Sequence, residues 1–283
     1  MKRNPRRTQN IAFFFLLLAT LLIVVPVGLV VVIIIQKGLP AINWQFLSDI
    51  PRQGMRAGGI FPAIIGTVYL VTGAIIFALP IGLLAAIYLS EYSKDNPLNR
   101  IIKLAIVNLA GVPSVVYGLF GLALFVIFFK FGASILSGSL TLGIMILPIV
   151  ITTSREALES VPQSFREVSL SLGASKWQTI RHIVLPNAIP GILTGTILGL
   201  GRAAGETAPI LFTVAAFYLP QLPKSIFDQA MALPYHLYVI STQVPNVDEK
   251  IRYGTAFVLL ALVLFMNLVA IIIRTKFRKK KKW

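Results

Sequence analysis

The chain has 283 residues, with 26 Lys and Arg against 10 Asp and Glu, so its formal charge is +16; yet only 13% of residues are charged and 56% are hydrophobic. Soluble domains carry about 25% charged residues and disordered chains are poor in apolar ones, so a soluble nucleic-acid binder and a disordered tail are excluded and a polytopic membrane protein remains. With no Cys there is no disulfide, thiol catalysis or Cys-metal site, and His182 and His236, both expected in loops, leave little scope for a His-rich metal site. A helix needs about 20 apolar residues to cross a hydrocarbon core of about 30 Å. Six segments meet that length: Ile11–Ile35, Ile60–Leu89, Leu104–Phe129, Leu136–Thr153, Ala188–Phe217 and Thr255–Ile273. They are continuous runs without the period-two alternation of barrel strands, which predicts an all-α bundle of six transmembrane helices. The first run is too long for a signal-peptide core and lacks a small-x-small cleavage pattern, so it is read as a retained helix. Pro80, Pro113 and Pro148 fall inside spans and are expected to kink them.

With the N-terminus inside, the inner segments 1–10, 90–103, 154–187 and 274–283 hold 18 of the Lys and Arg residues, against 7 in the outer segments. That bias places both termini in the cytoplasm and lets the inner surface meet membrane lipid. The chain reads as a single transmembrane domain over 1–283, with a first helix at 11–35, a core at about 58–273 and a polar inner loop at about 154–187. Two outer loops, 36–59 and 218–254, are either caps on the bundle or an outer gate or docking surface.

The inner loop predicts two short helices. Pro162 suits a first turn, and Phe165, Val168 and Leu172 share one face. Gly173 suits the left-handed position that ends a helix. Ser175 with Gln178 three residues on is a capping-box pattern. Trp177, Ile180 and Val184 stripe the second helix, and Pro186 marks the return to the membrane. Such a pair either lies on its own bundle and the lipid surface or fills a partner's groove. No Gly-Lys pair occurs in the chain, so a phosphate-cradling P-loop is excluded.

Glu167, Gly173, Ile183, Leu185 and Pro186 match the spacing of the E-A-A-x3-G-x9-I-x-L-P signature of the importer permeases of ATP-driven transporters, with Val168 and Ser169 at the two Ala positions. The resemblance implies a MetI-like permease core. It also implies that the loop, including Glu167, Gly173 and Ala174, docks on a separate cytoplasmic ATPase that binds ATP and magnesium. The permease itself would be no enzyme and would hold no cofactor.

The fifth span carries charge. Arg202 and Glu206 are four apart and share a helix face. Each is costly in hydrocarbon, by roughly 2.5–3.5 kcal/mol on insertion scales. Gly195, Gly199, Gly201 and Gly205 surround them with small residues. Two readings stand: a structural ion pair, or an anion-handling site. Guanidinium holds oxyanions through a fork of donors, and an ionised Glu can accept a hydrogen bond from protonated phosphate but not from sulfate. Asn108, Ser114 and Tyr117, with Thr67, Tyr69 and Thr72, are weaker pathway candidates. Gly201-Arg202-Ala203-x-Gly205-Glu206-Thr207-Ala208 is similar to a segment of the PstA-type permeases of phosphate importers. So are Leu109 to Gly121, Gly58 to Thr67 and Ala232 to Tyr238. This second resemblance implies an inorganic-phosphate pathway past Arg202, Glu206, Thr207, Gly201 and Gly205. It further implies a PstC-type permease partner, a PstB-type ATPase dimer and an external phosphate-binding protein, all at the cytoplasmic membrane. Sulfate, molybdate or an ATP-independent anion route are the alternatives.

Overall fold

The structure, a computed structural model, describes residues 5–93 and 96–279. Lys2, Arg3, Lys94, Asp95 and Lys280 to Lys282, part of the inner charge counted above, lie outside the described residues. Helix α1 (Pro5–Gly38) has no charged residue between Arg7 and Lys37, and its apolar side chains are exposed almost all round. Its chief neighbour is α12 (Glu249–Lys279), which Gly38 allows to approach closely at Tyr253 and Phe257. The outer segment that follows is compact. Helix α2 (Trp44–Ser48) starts where the Asn43 side chain accepts from the Phe46 N–H at 2.7 Å. Strands β1 (Pro51–Arg52) and β2 (Ala57–Gly58) then pair antiparallel.

Three helices make the centre: α3 (Phe61–Ile87), α6 (Ile135–Glu159) and α9 (Leu185–Gly205). Small residues set their spacing. Gly73 faces Ser139, Gly82 faces Val150 and Gly143 faces Phe77, so a side chain at any of these positions would collide across the interface. Leu70, Val71, Leu142, Met145 and Ile146 fill the layer between them and are essentially inaccessible. Pro80 and Pro148 sit inside continuous helices. A second cluster, at the inner-loop end of the bundle, joins Ala86 and Ile87 to Leu158, Val161, Ile180 and Val184.

Among the described residues, five helices are long and apolar enough to cross a membrane, and a bent pair passes the same test as a broken span or a re-entrant loop. The kink expected at Pro113 is present, and it is a full break between two helices. Helix α4 (Pro97–Ala110) and helix α5 (Ser114–Gly121), which continues as a widened π-turn to Phe128, meet at 102°. Pro113 lacks an N–H and pushes Val112 out of the helical region, and Gly111 adds little helical preference. The two halves are tied where the Tyr117 hydroxyl donates to the Leu109 carbonyl at 2.7 Å.

The inner loop contains α7 (Gln163–Ser171) and α8 (Lys176–Thr179). The return towards the membrane expected at Pro186 is made without a break, because the helix runs on from Lys176 to Gly205 through a widened turn at Ile180–Val184. That turn absorbs the proline, whose ring would otherwise clash with the carbonyl four residues back. At its far end the fifth span stops earlier than Phe217. Glu206 is extended (φ −76°, ψ 136°), and a short α10 (Ala208–Thr213) follows. Pro209 cannot donate to the Gly205 carbonyl, so the ladder is interrupted there.

Neither histidine is in a loop. His182 lies in the widened turn, and His236 lies on α11 (Leu233–Thr242), inside the expected outer loop 218–254. Leu233, Tyr235, His236, Val239 and Ile240 are all buried, so this segment is a plug packed into the outer end of the bundle. Its start is fixed to α3: the Leu233 N–H donates to Thr67 Oγ1 at 2.8 Å, and Gly66 lets the Met231 carbonyl come close.

Candidate functional site

Two regions collect the residues singled out by sequence. The first is the end of α9. Arg202 occupies its last turn, and Glu206 is the first residue beyond it. Arg202 Nε lies 3.5 Å from Glu206 Oε1, with the side chains 30% and 19% accessible. This is a single long contact, well outside the 2.7–2.9 Å of a tight charge-assisted bond. The guanidinium therefore keeps most of its donors for another acceptor. Gly201 faces Asn267 on α12: a Cβ there would sit 3.4 Å from Asn267 Nδ2. Gly205 has open space on its side-chain face, while the Thr207 carbonyl accepts from Leu211 N–H in starting α10.

Around this pair the structure sorts the weaker candidates. Tyr117 is buried within electrostatic reach of Arg202, but its hydroxyl is committed to the α4–α5 break. Thr67 is committed to α11. Asn108, Tyr69 and Thr72 are exposed, and Ser114 is half-buried. Glu206 borders a crevice of about 10 Å³ with Thr67, Leu142, Ala232 and Pro234, scarcely room for one water. The route from Glu206 towards α11 is thus closed in this conformation. Sequence reasoning passed over Asn267, although it is the one polar residue between Ala256 and Ile273. Its Oδ1 is buried with no hydrogen-bond partner.

The second region is the inner loop. The Ser175–Gln178 capping box is present: Gln178 N–H donates to Ser175 Oγ at 3.3 Å, and Ser175 N–H to Gln178 Oε1 at 2.8 Å. Gly173 has φ +85° and links α7 to α8, with its N–H on the Leu170 carbonyl and that of Ala174 on Ser169. Glu167 is exposed beside it. The face expected to be apolar divides. Ile180 and Val184 are buried in that second cluster and Leu185 packs against it, whereas Val168, Leu172 and Trp177 are exposed, Leu172 to 83%. Ile183 is half-buried and Pro186 is exposed. Below the loop, Arg166 makes the shortest ion pair among the described residues, 2.7 Å from Nη2 to Glu91 Oε1. It also donates to the Leu158 and Val161 carbonyls.

Comparison with known proteins fits this arrangement. Residues 78–283 match the family model described as the binding-protein-dependent transport system inner membrane component. A probable ABC transporter permease, YqgI of Bacillus subtilis, is 34% identical over 90% of both chains. The phosphate transport system permease PstA of Xylella fastidiosa is 34% identical over 84% of this chain and 82% of its own. PstA of Mycobacterium leprae is 39% identical over 75% and 69%. Among solved structures, the MetNI methionine transporter aligns with a TM-score of 0.60 at 15% identity, over 77% of this chain and 94% of the other. A bacterial alginate importer aligns at 0.58 and 17% identity over 94% and 96%. These last two establish the fold, the MetI-like permease bundle. The chain belongs to the family of binding-protein-dependent transport system inner membrane components, as a multi-pass transport subunit of an ABC importer.

Proposed function

We propose that this chain is the PstA-type permease subunit of an ATP-driven inorganic phosphate importer. The observation that carries the substrate is the similarity to PstA permeases from unrelated bacteria, at 34–39% identity over three quarters or more of the chain. The chemistry at the end of α9 agrees with it. Arg202 is held loosely enough for an oxyanion to displace Glu206 from its fork. Glu206 then accepts a hydrogen bond from a protonated phosphate oxygen, which fully ionised sulfate cannot donate. One Arg is a thin site for a divalent anion, so a PstC-type partner supplies further donors across the interface. Gly201, Gly205 and Thr207 leave the backbone at the break within reach of the ion.

On the cytoplasmic side, Val168, Leu172 and Trp177 form an unpartnered apolar surface flanked by Glu167. It docks into a PstB-type ATPase dimer, where ATP and magnesium bind; Ile183, Leu185 and Pro186 hold the loop to the bundle. The termini lie in the cytoplasm, and an external phosphate-binding protein delivers phosphate at the α11 face. Ligand and nucleotide drive the cycle because each prefers one state of the pathway. The test is phosphate uptake by cells carrying Arg202→Ala at wild-type surface levels. Uptake is expected to be lost; uptake at the wild-type rate refutes the site. Wild-type uptake of phosphate that sulfate or molybdate suppresses at equal concentration refutes the substrate.

A further inference from the structure

The inner loop is covalently joined to α6 and α9, so motion has an obvious route through those two helices. The structure gives it another. Helix α3 ends in a widened π-turn, Tyr88–Tyr92, a form frequently found at functional sites. Two consecutive residues of that turn are held by the two arms of the loop. Glu91 takes the Arg166 guanidinium of α7 through Nε (3.2 Å) and Nη2 (2.7 Å), with side chains only 8% and 12% accessible. Tyr92 has the Lys176 ammonium of α8 above its ring, 4.9 Å from the centroid. The grips lie on opposite sides of Gly173, and Ser169 Oγ and Thr179 Oγ1, 2.9 Å apart, join the arms between them.

Arg166 does more than neutralise Glu91. Its Nη1 donates to the Val161 carbonyl and its Nη2 also to that of Leu158, at 2.7 and 2.9 Å. One side chain therefore fastens the end of α6, the start of α7 and the end of α3. Apolar replacements of a buried ion pair are often no less stable, so stability is a poor reason to keep one; a fixed geometry is a better one. At its other end, α3 carries Gly66 and Thr67, the two contacts on the start of α11.

We propose that the Glu91–Tyr92 turn is the handle through which the ATPase-facing loop moves α3, and through α3 the outer plug α11. Arg166 and Lys176 are the positioning residues that grip it. The inference rests on reading the chain as an ATP-driven phosphate permease.

The experiment uses the whole importer in proteoliposomes and measures phosphate uptake and ATP hydrolysis in the same vesicles. In Arg166→Met and Glu91→Gln, the ATPase still co-purifies and hydrolysis persists. The phosphate moved per ATP falls by roughly ten-fold, the scale of mutations along a coupling route. Arg166→Lys recovers part of it. Tyr92→Leu changes an exposed side chain and lowers the ratio with no loss of expression, which keeps the test open if the buried variants misfold. Uptake and hydrolysis falling in proportion, or an unchanged ratio in Tyr92→Leu and Arg166→Lys, overturns the inference and leaves the pair a brace. Wild-type vesicles that carry a different oxyanion refute the substrate reading instead, and the same ratio measured with that ion decides the clamp.

Discussion

Gly173 separates backbone strain from steric crowding, and its substitution gives a quantitative test of the inner loop. Its φ of +85° lies in the left-handed region, yet a Cβ built on it meets no heavy atom within 4 Å. Gly58 differs: at φ +89° a Cβ there would strike the Ile50 carbonyl and come within 2.9 Å of the Arg52 nitrogen. The cost of Gly173→Ala is therefore conformational alone, roughly 1–2 kcal/mol for a left-handed L-residue. The lower chain entropy of alanine in the unfolded state offsets about 0.4–1 kcal/mol of that in global stability. Global stability thus falls by about 0–1.6 kcal/mol, while the local α7–α8 geometry is disfavoured by about 5- to 30-fold, taking 1.4 kcal/mol as a factor of ten. If the loop binds the ATPase only in this geometry, the apparent affinity falls by up to the same factor. The assay is titration of the detergent-solubilised complex with labelled ATPase, alongside thermal unfolding of the permease. Affinity should follow Gly, Asn, Ala, Val in falling order, because Asn tolerates the left-handed region and Val does not. Gly173→Val with wild-type affinity would refute the argument.

Three further outcomes follow from specific contacts. Glu206→Gln keeps the shape but removes the charged acceptor, so phosphate uptake should fall and discrimination against sulfate should narrow; unchanged phosphate uptake in a competition assay sinks the selectivity role. Gly66→Ala places a methyl against the Met231 carbonyl and should cost about 1–3 kcal/mol, the usual range for overpacking, seen as a lower unfolding midpoint. Burial alone lowers the His236 pKa from 6.5 to about 4. Acid therefore protonates the unfolded chain first, and stability present above pH 6.5 is lost as pH falls towards 4, by up to about 3 kcal/mol. Midpoints at pH 7 and pH 4.5 should diverge in the wild type and converge in His236→Leu; equal pH slopes would count against it.

Features closed within a few residues were legible in the sequence. The capping box at Ser175 and Gln178 and the left-handed Gly173 depend on neighbours three or fewer positions away, and both stand as read. Arg202 and Glu206 were also expected together, and they are, though as a loose pair across a helix end where a continuous helix face was expected. What stayed hidden depends on distant partners. Arg166 meets Glu91 across 75 positions and Leu233 meets Thr67 across 166, and neither pairing leaves a periodic trace. Helix α11 looked like outer loop because its prolines and short apolar pieces do not reach membrane length; burial by α3 and α12 makes it core. Val168 and Leu172 fit an apolar stripe, but periodicity says only that they share a face, not what covers it.

The breaks in the third and fifth spans share a cause, and on the proposed reading they mark where the ion passes. Hydropathy averages side chains and is blind to the backbone, so Leu104–Phe129 and Ala188–Phe217 each read as one helix. Proline chemistry breaks both, at Gly111–Pro113 and at Glu206–Thr207. Irregular backbone at membrane depth persists only where protein buries it or a polar cavity receives it. Here the half-helices that follow the breaks, α5 and α10, pack on each other. Gly118 lies against Ala208, Pro209 and Phe212, and Gly121 lies against Thr213. Pro209 has no N–H to give the Gly205 carbonyl, which stands three residues before Ala208 of that contact, and the loosely held Arg202 stands six before it. A straight pair of helices would offer an anion one guanidinium in an apolar wall. Two broken ones offer it a guanidinium set among backbone dipoles that are already in place, the arrangement discontinuous helices provide in other transport folds. If Arg202 handles the anion as proposed, the ion pair and the breaks are parts of one device, and a substitution that restores helix across either break should silence transport as surely as loss of Arg202.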